Sequence, residues 1–237
     1  MNSSPFTRVE RNLAAPAMRA MVLQAIDLMS WRHHGIGVLQ GYLSEGSAPE
    51  VRVHVWSRRL LKPGMDISGD AHDHRFDMVS HVLCGTISHE ELTPFFAQGS
   101  AGDHRMLALT HARAAADNKF HGPTEELDGT FGVMRNLMHI TAGYSYTFPA
   151  LHFHRSPLLG GRDHVAVTVV EKHRQREDVR ARILYPAVHR PVMAFGHDMD
   201  PELIASVLAQ AKAALVAADG VSASDAKGAR PPTGARP

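Results

Sequence analysis

The sequence is poor in cysteine and lacks the short motifs that mark several common enzyme classes. Its one cysteine, Cys84, cannot form a disulfide within the chain, so we expect a reducing, cytoplasmic location. The chain contains no CxxC pair, no G-x-x-x-x-G-K-[ST], no H-E-x-x-H and no G-x-S-x-G. Dithiol redox chemistry, P-loop nucleotide hydrolysis, zincin-type proteolysis and hydrolysis by a nucleophile elbow are therefore poorly supported.

A strong charge bias and a long apolar run are also missing. The 25 Lys and Arg residues nearly balance 24 Asp and Glu, and the formal net charge of +1 indicates neither a nucleic-acid partner nor an anionic membrane surface. Because we find no apolar run long enough to span a bilayer and no signal sequence at the start, we expect no membrane association. The 237 residues, 44% of them hydrophobic, suit one globular domain with appendages.

Histidine is the residue type that the chain has in excess. There are 17 histidines, and histidine is both the commonest metal ligand and the side chain that titrates near neutral pH. Two H-x-H pairs stand out, His72 with His74 in "DAHDHRF" and His152 with His154 in "LHFHRS". In an extended segment, residues two apart point to the same face, so each pair could present two imidazoles to one ion.

Short strand patterns dominate between two helical segments. Apolar residues at helical spacing from Met18 to Met29 predict a first helix that ends at Gly35. The segment "DMDPELIASVLAQAKAALVAA" predicts a second helix, capped by Asp200 and with Pro201 at its first position. Between them, alternating segments such as "VRVHVWS" are typical of strands. This order predicts a single-domain, mainly all-β protein, an antiparallel β-barrel or sandwich with a helix near each end.

The same patterns predict the division of the chain. We expect an N-terminal helical extension over residues 1–48, a β-barrel over 49–198, a C-terminal helix over 199–218 and a disordered tail over 219–237. Repeated glycines between Pro94 and Phe131 indicate irregular strands and long loops, with an inserted hairpin or lid.

The first H-x-H segment resembles the first motif of the cupin superfamily, a group of jelly-roll β-barrels. That motif is H-x-H, three or four residues, Glu, six residues and Gly. In this chain, His72 and His74 are followed at the same spacing by Met78 and Gly85, so methionine stands in the place of the glutamate. The resemblance implies a cupin-type barrel and extends over roughly residues 50–172.

The second segment resembles the second cupin motif, which is Gly, five residues, Pro-x-Gly, two residues, His, three residues and Asn. Gly143, Pro149 and His154 match it, whereas Leu151 replaces the second glycine and Leu158 the asparagine.

The resemblance implies a ligand set and a chemistry. The motif frame selects His154, and not His152, as the third metal ligand beside His72 and His74. With Met78 in place of the acid, the site is similar to that of three-histidine non-haem iron dioxygenases, such as those that act on thiols or cleave diketones. It implies Fe(II), although Zn, Ni, Cu or Mn could use the same ligands. A small metal-chelating substrate and O2 are then the expected partners, and the resemblance also favours a homodimer.

Several further residues are candidates for the site. His152 is either a residue that orients a ligand or shuttles a proton, or a buried histidine with satisfied hydrogen bonds. Tyr144 and Tyr146 share one face of a strand, and are either catalytic phenols, with Tyr146 preferred, or packing aromatics. An arginine could bind a substrate carboxylate. The candidates are Arg52, Arg58, Arg59, Arg75, Arg135 and Arg155.

Alternation predicts the orientation of the remaining residues near the motifs. Counting from Met78, Cys84 faces the pocket as a small buried hydrophobe, whereas His81 points outward, and His89 is expected to be structural as well. In "VRVHVWS" we expect the valines in the core and the intervening residues in solvent or at an oligomer interface. Those residues are Arg52, His54 and Trp56.

Three functions fit these patterns. The first is a mononuclear Fe(II) dioxygenase. The second is a lyase, isomerase or epimerase in which Zn, Ni or Fe acts as a Lewis acid and His152 or a tyrosine is the base. The third is a non-catalytic cupin that binds a small ligand. Oxygen uptake during turnover separates the first from the other two.

Overall fold

Strands dominate the chain. The computed structural model describes residues 7–34, 37–45, 49–61, 71–97, 102–109, 124–176, 178–188 and 200–228. Over these ranges the chain forms thirteen strands, two α-helices and one short 3-10 helix, Arg58–Leu60. The prediction of a mainly all-β barrel with a helix near each end is confirmed.

The elements follow one another in this order. The strands are β1 (Arg8–Arg11), β2 (Arg32–His34), β3 (Val38–Ser44), β4 (Glu50–Ser57), β5 (Ala71–His72), β6 (Asp77–Cys84), β7 (Thr86–Phe96), β8 (His104–Leu109), β9 (Thr124–Thr141), β10 (Tyr144–Phe148), β11 (Phe153–Arg155), β12 (Val165–His173) and β13 (Arg182–Pro186). Helix α1 (Ala15–Ala25) lies between β1 and β2, and α2 (Pro201–Gly228) follows β13.

The strands form two antiparallel sheets. The larger sheet has seven strands in the order β1-β10-β6-β12-β4-β3-β2, and the second closes on itself in the order β11-β5-β13-β8-β9-β7. Closure places β11 between β5 and β7, with His154 opposite His72 on one side and opposite Glu91 on the other. The two H-x-H segments, about 80 positions apart in the sequence, thus meet within the barrel.

Both faces of the larger sheet are covered. On the outer face, valines of β4 pack with apolar residues of α1 and α2, and the main members are Val22, Ile26, Val53, Val55 and Leu215. On the inner face, a second cluster joins the larger sheet to the barrel and includes Met78, Val82, Tyr146, Phe148 and Val170. Because β4 is buried on both faces, its alternating pattern does not separate core from solvent.

Three segments within the first 48 residues are strands of the larger sheet. These residues were predicted as a helical extension, but they contribute β1, β2 and β3. Helix α1 also ends earlier than predicted, at Ala25, because Arg32–His34 pairs with β3 as a strand. Met29 lies in the turn after the helix but packs against the same core as the helix, and so extends the helical periodicity. The predicted end, Gly35, lies outside the described residues.

Helix α2 begins where the sequence predicts. The Asp200 Oδ1 accepts a hydrogen bond from the Glu202 backbone N–H at 2.9 Å, which caps the first turn ahead of Pro201. The helix continues to Gly228, so residues 219–228 are helical where we predicted disorder. Asp219 on this added segment forms an ion pair with the buried Arg19 of α1. Residues 229–237 lie outside the described part of the chain.

One part of α2, Pro201–Asp219, is long and apolar enough to cross a membrane by length and composition, contrary to the expectation that the chain has no such apolar run. This is weak evidence for a membrane span, because core helices meet the same criteria. Val207, Ala211 and Leu215 of this segment are fully buried against the sheet.

The packing of α2 against the sheet predicts a large effect of a single truncation. Leu215→Ala removes a side chain that is fully buried between α2 and the sheet. We expect the free energy of unfolding to fall by about 2–5 kcal/mol in a urea titration. Val216→Ala is the matched control because Val216 is 60% exposed, and should change stability by less than about 0.5 kcal/mol. Equal effects of the two substitutions would contradict this packing.

Candidate metal centre

Three histidines meet at one point of the barrel wall. His72 lies in β5, His154 lies opposite it in β11, and His74 lies just beyond β5. Each offers one ring nitrogen, and these three atoms lie within 4.8 Å of one another. His74 Nε2 and His154 Nε2 are 2.9 Å apart. The geometry thus brings together the three residues predicted as metal ligands, while their role as ligands stays a prediction.

The three nitrogens fit a metal ion. Two imidazole nitrogens that each bind one ion at about 2.1 Å must lie within about 4.2 Å of each other. The His74–His154 pair, at 2.9 Å, lies within this limit, whereas the 4.8 Å that encloses all three atoms exceeds it, so the rings must move closer together for all three to bind one ion. Burial lowers the pKa of His154 well below its usual value, and the neighbouring His72 and His74 lower it further. The neutral imidazole is the form that binds metals, so protons compete weakly for this ligand.

No nearby acid completes the set among the described residues. Asp77 accepts a hydrogen bond from the Ala150 backbone N–H at 2.9 Å, which orients it toward the turn before β11. Glu90 forms an ion pair with Arg155, and Glu91 accepts a backbone N–H. Each carboxylate is therefore engaged elsewhere, and three imidazoles form the cluster that could hold a metal.

A fully buried fourth histidine supports the cluster. His89 Nδ1 lies 3.4 Å from His154 Nδ1, and His89 Nε2 lies 3.2 Å from the Thr7 hydroxyl. If His154 binds an ion through Nε2, its Nδ1–H donates to His89 Nδ1 and the His89 Nε2–H donates to Thr7. Phe148 packs on the His154 ring with centroids 4.5 Å apart, which fixes the ring further.

The sequence interpretation of His89 was wrong in one respect. We expected His89 to point away from the cavity, as His81 does. His81, on β6 of the larger sheet, contacts Asn12 and Glu171. His89 instead shares the face of Glu91, the residue opposite His154. The signal for this lies in the β7–β11 pairing, which the sequence alone does not reveal.

A buried ion pair holds the first H-x-H segment. Asp73 points away from the cluster, as alternation predicts, and its Oδ2 accepts from Arg182 Nε at 2.7 Å while Oδ1 accepts the Arg182 backbone N–H at 2.5 Å. Burial raises the pKa of the Asp73 carboxyl, and the Arg182 guanidinium opposes this shift. Arg182 Nη2 also donates to the Leu151 carbonyl at 3.1 Å, so one arginine joins both histidine segments.

Leu151 occupies the left-handed region of the backbone. Its φ is 65°, and it stands in the place of the second glycine of the motif that the chain resembles. The Leu151 N–H donates to the His74 carbonyl at 2.8 Å, so the turn is held from both sides. A conformation that usually requires glycine is therefore maintained by hydrogen bonds to the neighbouring segments.

His152 is not part of the three-histidine cluster and does not line the cavity with His154, contrary to the prediction that the two share a face. Its Nδ1 donates to the Ala150 carbonyl at 3.0 Å, and it is not among the described residues that line the adjoining cavity. The alternation rule fails here because β11 begins only at Phe153, after the left-handed turn at Leu151.

The cluster forms one wall of a cavity between the barrel and the inner face of the larger sheet. This cavity has a volume of about 90 Å³ and is partly open to solvent. Met78, in the place of the motif glutamate, faces it and is 5% exposed. Arg52, His54 and Trp56 also line it, so the expectation that these side chains face solvent or an interface is wrong. The valines between them are buried, as expected.

Two other predicted residues differ in their relation to the cavity. Tyr146 lines it beside His89, with ring centroids 4.7 Å apart, whereas Tyr144 is 43% exposed. Burial raises the pKa of Tyr146 to about 12, so the phenol stays protonated at neutral pH.

Cys84 is buried, but against the helices rather than toward the cavity, because the strand register shifts at Val167. Burial raises the pKa of its thiol to about 12.

The candidate arginines separate by position. Arg52 and Arg155 line the cavity, and Arg155 is neutralised by Glu90. The others with a described partner bind outside it: Arg58 donates to the Gly160 carbonyl, Arg59 to the Ser206 hydroxyl, and Arg135 lies 3.8 Å from Glu90. Arg52 and Arg155 are therefore the candidate arginines that line the cavity, and each is paired with a carboxylate, Glu50 and Glu90 respectively.

No protein-family model matches the chain, and no curated protein matches it. A β-barrel with three neighbouring histidines is compatible with a cupin-like metal site. The resemblance therefore depends on the two spaced motifs and on this geometry.

The burial of His89 predicts how stability depends on pH in the metal-free protein. Burial lowers the pKa of His89 from 6.5 to about 4. Between these values the unfolded chain binds a proton that the folded chain does not, so stability is lost as the pH falls from about 6.5 to about 4. We expect a loss of about 3 kcal/mol from this group. Urea titrations at several pH values in this range should show that the free energy of unfolding falls less steeply with decreasing pH in His89→Gln than in the wild type. An identical slope would contradict a neutral, buried His89.

The left-handed turn predicts an unusual stabilising substitution. Leu151→Gly should raise the free energy of unfolding by about 0.5–1 kcal/mol, because glycine adopts this φ without steric strain. Leu151→Ala is the control, since it removes the same side chain but keeps the Cβ atom that is unfavourable at a φ of 65°. Stabilisation by both substitutions would show that the side chain, and not the backbone, is the source of the strain.

Proposed function

We propose that the protein is a metal-dependent cupin oxygenase, a mononuclear non-haem Fe(II) dioxygenase that acts on a small metal-chelating organic substrate. The observation that carries the proposal is the convergence of His72, His74 and His154 on the wall of an internal cavity. The three histidines open onto a cavity in which a small molecule could bind beside them, and a structural site would have four protein ligands.

The donor set favours binding of further ligands. Three neutral imidazoles leave a divalent ion its full charge and roughly three open positions. Bound iron(II) would supply adjacent positions for the chelating substrate and dioxygen. The chain's residues then serve to keep His154 neutral, to fix its ring through His89 and Phe148, and to surround the substrate with Trp56 and other apolar side chains.

Tyr146 is the cavity residue best suited to assist. Because burial raises its pKa to about 12, it can donate a hydrogen bond from its hydroxyl at neutral pH but cannot act as a base. A lyase or isomerase needs a general base beside the substrate, and His152, which we had considered for that role, lies outside the cavity lining. His54 is the imidazole in the cavity lining outside the three-histidine cluster, so oxygen uptake during turnover is the observation that separates the oxygenase from a lyase or isomerase. The cytoplasmic location and the homodimer stay predictions.

The ligand set predicts opposite effects for the two histidines of the second motif. After loading with Fe(II) under anaerobic conditions and desalting, His154→Ala should retain less than about a tenth of the wild-type iron, since one of three ligands is lost. His152→Ala is the matched control and should retain the full amount. Metal analysis by mass spectrometry measures both. Equal iron loss in the two variants would contradict the assigned ligands.

Oxygen consumption tests the reaction class. The iron-loaded protein is exposed in an oxygen electrode to a panel of small chelating thiols, diketones and ring diols, and we expect uptake that depends on one substrate class and disappears in His154→Ala. Conversion of a substrate without oxygen uptake would favour the lyase or isomerase. Full iron binding without conversion of any compound would favour a non-catalytic cupin.

A further inference from the structure

The cavity has a second polar region, away from the histidines. Lys172 on β12 and Arg52 on the neighbouring β4 both line it. The two cations share one acceptor, Glu50 Oε1, which lies 3.1 Å from Lys172 Nζ and also accepts from Arg52 Nε. Their side chains are largely enclosed, 12% exposed for Lys172 and 22% for Arg52.

This region carries an excess of positive charge. One carboxylate cannot neutralise two cations, and Arg75 adds a further repulsive interaction with Lys172. Burial lowers the pKa of Lys172, with the charge of Arg52 as the second cause, whereas the same two cations lower the pKa of Glu50. A positive charge in an enclosed space is costly unless an anion binds there.

An aromatic ring links the cations to the metal centre. The Lys172 ammonium lies 4.4 Å from the centroid of the Phe76 ring, and Phe76 stacks on His74 with centroids 4.7 Å apart. The ammonium can therefore be no farther from the His74 ring than these two distances together. A small molecule can span this interval, with Trp56 and Val170 as apolar lining beside it.

We propose that Lys172 and Arg52 bind the carboxylate of a small organic acid whose other end points toward the three histidines. The excess positive charge favours an anion, and the guanidinium and ammonium donors suit carboxylate oxygens. The identity of the ligand as the enzyme's substrate rests on the proposed function, but the anion site itself does not depend on a metal. Arg155 lines the barrel side of the cavity on β11, where it pairs with Glu90 and belongs to a different ion-pair group from Lys172 and Arg52.

The test compares benzoate with its neutral isostere benzamide in the metal-free protein. Isothermal titration calorimetry should detect benzoate binding at least about tenfold stronger than benzamide binding, because only benzoate can form charge-assisted hydrogen bonds. Lys172→Met keeps an apolar stem above Phe76 and should weaken benzoate binding about ten- to a hundredfold. Lys212→Met is the matched control, since Lys212 pairs with Asp27 far from the cavity lining.

A second variant changes the affinity in the other direction. Glu50→Gln removes the carboxylate that competes for both cations, so benzoate should bind several times more tightly than to the wild type. If the cations serve only to hold the two strands together, benzoate and benzamide will bind alike and neither substitution will change the benzoate affinity. That result overturns the proposal.

The benzoate titrations and the iron-retention measurement together separate the anion-site proposal from the proposed function. Benzoate binding to the metal-free protein together with failure to retain iron would support the anion site and contradict the oxygenase. Iron retention that depends on His154, with no preference for benzoate over benzamide, would support the metal centre and overturn the anion site.

Discussion

The candidate site depends on closure of the barrel around β11, a strand of only three residues. On one side β11 pairs with β5, which sets His154 opposite His72, and on the other it pairs with β7, which brings up His89. The histidines of β5, β7 and β11 come together only when all three strands pair, because the pairing register decides which side chains face each other. The Asp73–Arg182 ion pair and its hydrogen bond to Leu151 fasten both histidine segments to β13.

The larger sheet supplies the apolar and cationic side chains that line the cavity opposite the histidines. Its outer face is buried under two helices, which leaves its inner face free to carry side chains that a solvent-exposed sheet would present to water. That face has an apolar centre around Trp56 and a cationic region at Lys172 and Arg52. The cavity is therefore chemically asymmetric, with imidazoles on one wall and the Lys172–Arg52 cations on another, and this asymmetry is the basis of the proposed orientation of a carboxylate ligand.

Alternation and the order of the segments, which are local properties, predict the fold class, whereas the convergence of the two motifs is what their resemblance to the cupin motifs implies. Prediction from the sequence fails where tertiary structure overrides these local properties. His152 leaves the expected face because Leu151 adopts a left-handed φ before the strand begins. His89 joins the cluster through a strand pairing that no local pattern encodes. Arg52 reaches the cavity rather than solvent because helices cover the opposite face of its strand.

The most direct test of the central idea is X-ray absorption spectroscopy of the protein loaded with one equivalent of zinc or iron. The account predicts three imidazole nitrogens at roughly 2.0–2.2 Å from the ion, no protein carboxylate, and remaining positions held by exchangeable water. His154→Ala should reduce the imidazole count by one in any ion still bound. A spectrum with fewer than three imidazoles in the wild type, or one that His154→Ala leaves unchanged, would contradict a centre built from these three histidines.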